Sequence, residues 1–132
     1  MAVTELGQTQ TFIAAIDLSS YQYCPVYVSA ANTVTYSGAA GKVNGILQNK
    51  PILGAAAEVI TAIGVKSKLK VDATTDIDAG DPLESNGSHV GIKLTIDGAG
   101  TTETYLIGWA VTAATEATAY ITVLTNFAPT SK

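Results

Sequence analysis

The chain is 132 residues long, 47% hydrophobic and 14% charged, with a formal net charge of −4 at pH 7. Those proportions describe one folded domain with a sizeable core and exclude a disordered chain, while the lone cysteine, Cys24, excludes a disulfide framework. The chain has no arginine, the side chain that best grips phosphate and guanine, so nucleic acid is not an expected partner.

The first residues, MAVTELGQTQT, have no basic leader and place Glu5 ahead of any apolar run, so they do not read as a secretory signal. They also bury too little apolar surface to offset their ordering entropy. Residues 1–11 are therefore expected to form a flexible arm, with Thr4, Glu5, Leu6 and Gln8 as candidate contacts to a partner or a neighbouring copy. No later stretch offers about 18 uninterrupted apolar residues, so no membrane span is expected. From residue 12 to residue 124 apolar side chains mostly alternate with polar ones, the period of a strand and not of a helix. The expected fold is all-β: a single domain, a compact β-sandwich or small β-barrel with short connecting turns and at most one short helical segment.

In chain order, TQTFIAAIDL, YCPVYVSA and NTVTYS read as short strands. Tyr21, Tyr23 and Tyr27 share strand parity, a stripe that serves either as core packing or as a platform for carbohydrate. GAAGKV invites comparison with a phosphate-binding loop, but Tyr36 stands where that loop needs its first glycine and Val43 where it needs Ser or Thr, so a plain glycine turn is expected. In KSKLKVDA, Ser67, Leu69 and Val71 fall on one face and Lys66, Lys68 and Lys70 on the other. The lysine stripe suits edge-strand protection or contact with an acidic partner. TTDIDAGDPLE gathers Asp76, Asp78, Asp81 and Glu84, hard oxygen ligands whose order does not match a calcium loop, and a solvated turn with no metal is expected.

ESNGSHV holds Asn86-Gly87, a pair suited to the positive φ values of a tight hairpin turn. His89 is the lone histidine, and a Cys24–His89 nucleophile pair would need the fold to join them. VGIKLTIDGAGTTETYLIGWAV reads as a second hairpin, Ile92–Ile96 turning at Asp97-Gly98 into Tyr105–Trp109. AATEATA is expected to be a surface connection, Ala119–Leu124 the last strand, and residues 125–132 a loose tail.

The segment VNGILQNKP, then a glycine turn, AAAEVITAIGVKSKLKVDA, DIDAGDPLES and YLIGWAV with a closing AYITVLT, resembles in its order the capsid cement, or decoration, proteins of tailed phages. The matching residues are Gly45, Ile46, Leu47, Gln48, Asn49 and Pro51, then Gly54, Ala57, Val59, Gly64 and Val65, then Gly80, Asp81 and Leu83, and finally Gly108 and Ala110. The match spans about residues 36–124. It implies a non-enzymatic β protein without cofactor that is made in the host cytoplasm and joins the outer capsid surface of the virion. Its implied partners are the major capsid protein, whose subunits it would bridge, and itself, as a homotrimer. A carbohydrate-binding or adhesin-like module using the tyrosine stripe is the alternative.

Overall fold

Alternation dictates the architecture. In Lys66–Val71 the lysines face outward while Ser67, Leu69 and Val71 are buried, so this strand covers a core with one face only. The computed structural model describes residues 9–96, 98–100 and 102–132, and no helix occurs among them. The strands are β1 (Thr9–Ala14), β2 (Pro25–Ala30), β3 (Thr33–Tyr36), β4 (Gly45–Leu47), β5 (Ala56–Ile60), β6 (Lys66–Val71), β7 (Pro82–Ser85), β8 (Gly91–Lys93), β9 (Glu103–Ala110) and β10 (Ala119–Ser131). The all-β barrel expected from the sequence is therefore present, but twice: β1-β3-β2-β4-β5 closes one barrel and β10-β6-β8-β7-β9 closes another.

The two barrels are one design repeated. In each, the first and third strands run parallel and every other pair is antiparallel. A constant offset carries the β1–β3 pair Ala14–Val34 onto the β6–β8 pair Val71–Gly91. The same offset carries Pro25 onto Pro82, and the left-handed residues Tyr23 (φ 66) and Asn32 (φ 56) onto Gly80 (φ 94) and His89 (φ 66). Irregular hydrogen bonds repeat too. Cys24 N–H donates to Tyr21 O as Asp81 N–H does to Asp78 O, at 3.0 and 3.1 Å, and Tyr23 N–H donates to Leu47 O as Gly80 N–H does to Ala110 O, both at 2.7 Å. With a small shift for a longer β8–β9 connection, Gly45 matches Gly108, Ile46 matches Trp109, and Ile60 matches Leu124.

Both of those glycines are required by close strand approach. A Cβ on Gly45 would collide with Val59 Cγ1 and Ile60 O, and one on Gly108 with Leu124 O, at equivalent points of the two barrels. The first barrel packs Ala14, Leu18, Val26, Val34, Leu47, Ala57 and Val59. The second packs Leu69, Val71, Ile77, Leu83, Ile107, Ile121 and Val123, and that cluster also takes in Val43 and Ile46 from the first barrel.

Three expectations are corrected. Residues 125–132 are no loose tail: β10 runs to Ser131 and pairs with β9 as far as Ser131–Glu103 after a register shift at Thr125–Ala128. Lys132 continues the closure, with its N–H on Thr102 O and its ammonium 3.0 Å from the buried Glu84 carboxylate. Second, β8 and β9 do not form a hairpin. Strand β7 bonds to both and so stands between them. The hairpin is β7–β8, and its left-handed residue is His89, because Asn86 Oδ1 accepts from Ser88 and Val90 N–H and so builds the turn without a positive φ at Gly87. Third, strand pairing enters the expected arm: β1 starts at Thr9, which pairs with Ile60.

Candidate interaction surfaces

The residues that could have carried chemistry are held apart. Asp81 Oδ2 accepts the Asp78 N–H at 2.8 Å and lies 3.2 Å from Lys93 Nζ, and these two contacts hold its carboxyl below the usual carboxylate range, the N–H contributing most. Glu84 turns the other way, into a buried contact with Thr104 Oγ1 at 2.8 Å. Among the described residues no three His, Cys, Asp or Glu side chains gather as metal ligands. Cys24 and His89 have different partners. Burial pushes the Cys24 thiol up to about 11, Lys70 opposing only in part, and its Sγ contacts Gln22 O. His89 stacks on Tyr36 at 3.7 Å and donates through Nδ1 to Ser37 O at 2.7 Å. At Gly41, the N–H closes a turn on Gly38 O while Val43 dives into the core. An open cleft of about 280 Å³ is lined by Asp72, Thr74, Asn86, Ile92 and Lys93, among others. Its hydroxyl–carboxylate contact, Thr74 Oγ1 to Asp72 Oδ1 at 2.6 Å, is a local turn bond between residues two apart, with the Thr74 N–H on the same oxygen.

The GILQNKP segment builds the joint between the barrels. Gly45 lets β4 approach β5, Ile46 points into the second barrel's cluster and Leu47 into the first. Gln48 Nε2 donates to Ser67 Oγ on β6 at 3.2 Å. Asn49 clamps β5 by accepting from Glu58 N–H and donating to Ala56 O, both at 3.0 Å. Pro51 is buried, with its carbonyl accepting from Leu18 N–H, and Gly54 turns the chain back at φ 79. Further contacts complete the joint: Lys70 N–H to Tyr23 O at 2.8 Å, Ala40 N–H to Ser85 O at 3.1 Å, and the His89 ring on Tyr36.

The tyrosine stripe does not form. Tyr27 lies in β2, but Tyr21 packs on Tyr36 with ring centroids 4.9 Å apart. The left-handed backbone of Tyr23 turns its ring to Tyr120, with centroids 6.0 Å apart. The lysine stripe does form, with Lys66 and Lys68 exposed and Lys70 half-buried. Lys68 Nζ lies 5.1 Å from the Tyr23 centroid and 5.9 Å from that of Tyr120, making an aromatic and cationic corner with exposed Tyr120. Tyr120 escaped the sequence reading because its partner is distant in the chain. Its alternation with buried Ile121 was the available signal. Thr4, Glu5, Leu6 and Gln8 lie outside the described residues.

The fold defines a class, the tandem pair of closed five-stranded barrels with a shared joint. Within the solved structures the chain is similar to the crystal structure of the N base of head fiber gp8.5 in bacteriophage phi29. The TM-score is 0.60 at 14% sequence identity, and the match covers 94% of this chain and 98% of that one. No protein-family model and no curated protein matches the sequence.

Proposed function

We propose that the chain is a structural protein of a phage head, a non-enzymatic decoration protein that binds the outer capsid surface and bridges major capsid protein subunits as a homotrimer. The observation that carries this reading is the end-to-end match of both barrels to a head fiber base. The ordered GILQNKP, Ala-Gly-Asp and Gly-Trp-Ala segments support it, since they supply the joint and turns of that same fold. No cofactor is needed for such a role, because bridging uses only complementary surfaces. The lysine stripe suits an acidic patch on the shell.

Co-sedimentation with purified expanded and unexpanded heads of the phage that encodes the chain tests the proposal. Saturable binding to expanded heads, with a raised disruption temperature, is expected. A chain that stays in the supernatant with both heads overturns it.

A further inference from the structure

The contact between the barrels is heterologous: different faces of the same repeated unit meet. The first barrel contributes its β4 face and the end of β3, through Ile46, Gln48, Tyr36 and Ser37. The second contributes β6, the end of β7 and the β7–β8 turn, through Ser67, Lys70, Ser85 and His89. Because the barrels are repeats, each also carries the face that the other one uses, and among the described residues neither of these copies is covered by the opposite barrel.

Each unused copy carries two large apolar side chains exposed to solvent, beside polar ones such as Gln10, the counterpart of Ser67. On the second barrel, the counterpart of fully buried Ile46 is Trp109, 38% exposed, and that of Gln48 is Val111, 39% exposed. On the first barrel, the counterpart of Lys70 is Ile13, 45% exposed, and that of buried Ser85 is Val28, 41% exposed. The counterpart of the stacked pair His89 and Tyr36 is Asn32, between β2 and β3 of the first barrel, and Lys93, at the end of β8 in the second.

From this we infer that the Trp109–Val111 face of one chain docks on the Ile13–Val28 face of a second copy, continuing the internal contact head to tail. The partner is this chain itself, because the joint already present is a template for the two unpaired faces, down to which strands meet. A heterologous contact closes into a ring where its rotation permits and otherwise extends as a filament. The inference is drawn from the repeat and does not depend on the capsid reading.

Light scattering of the full chain over a concentration series, without capsids, tests it. The wild type is expected to associate, whereas Trp109→Asp with Val111→Asp and, separately, Ile13→Asp with Val28→Asp are expected to be monomeric at unchanged circular dichroism. Each double variant keeps one intact face, so an equimolar mixture is expected to give heterodimers and nothing larger, a result that self-complementary pairing does not produce. As a second readout, Asn32→Cys with Lys93→Cys is expected to yield intermolecular disulfides on oxidation. A wild type that is monomeric throughout, or a dimer that persists in both double variants, or a mixture that stays monomeric overturns the inference.

Discussion

At the residue scale, two glycines and two aspartates are the informative positions. Gly45 and Gly108 occupy equivalent points where a neighbouring strand leaves no room for a side chain, whereas Gly87 has open space around it and no positive φ. Gly108→Ala is therefore expected to destabilise by about 1–3 kcal/mol through overpacking against the β10 backbone, and Gly87→Ala to stay within roughly 0.5 kcal/mol. Denaturant unfolding of the two variants checks the contrast, and equal effects would refute the close-approach reading. Asp72 and Asp81 set a pH dependence. Thr74 hydroxyl and N–H hold the Asp72 carboxyl low, and the Asp78 N–H with Lys93 does the same at Asp81. A depressed folded pKa contributes stability above the unfolded value of about 3.9 and loses it as pH falls through the folded value. Melting temperature is thus expected to fall on acidification below about pH 4, and Asp81→Asn to flatten that fall. An unchanged acid limb in the variant would dismiss Asp81 as a contributor.

At the element scale, β10 closes the second barrel and stitches the two barrels together. Thr125, in its middle, donates through Oγ1 to Ala62 O at 2.7 Å and accepts from Val65 N–H at 3.1 Å, so it ties down the segment that links β5 to β6. Beyond it, Lys132 neutralises Glu84 in a site where the carboxylate side chain is only 5% exposed. Lys132→Ala leaves that charge with the Thr104 hydroxyl as its side-chain partner among the described residues and is expected to destabilise by roughly 1–3 kcal/mol, while truncation after Leu124 should abolish cooperative folding. Thermal melts of both chains decide it, and a truncated chain that melts like the full one would make the segment dispensable. The reason 125–132 read as a tail is physical: Pro129 and the bulge at Thr125–Ala128, with Phe127 at φ 57, break the alternation that marks a strand. Alternation did reveal the faces of β6 and the all-β class, because inward and outward positions follow from one strand's own pleat. Which strands pair does not, so the β8–β9 hairpin was misread. The repeat was illegible for a related reason. A small barrel constrains inward apolar parity and a few left-handed or crowded positions, and Tyr23 against Gly80 or Asn32 against His89 satisfies the same φ with unrelated side chains.

At the scale of the whole molecule, the joint determines whether the two barrels behave as one body. Val43 and Ile46 belong by chain to the first barrel and by packing to the second, and both are fully buried. If those contacts couple the barrels strongly, neither can unfold without exposing the other's core, and the transition is two-state despite the duplication. The two halves can be watched separately, since Trp109, the single tryptophan, reports from the second barrel. Tyr21 and Tyr36, packed on one another and on His89, contribute a near-ultraviolet signal from the first barrel's side of the joint. Coincident transitions by tryptophan fluorescence and tyrosine circular dichroism are expected for the native chain. Ile46→Ala removes the central apolar contact and is expected to destabilise by about 2–5 kcal/mol, a loss that must register in both signals although the substitution lies in one barrel. Leu47→Ala, one residue along and pointing into the first barrel's own cluster, is the internal comparison. If Ile46→Ala moves only one transition, or if the native chain already melts in two steps, the barrels are independent beads and the joint is a mere contact.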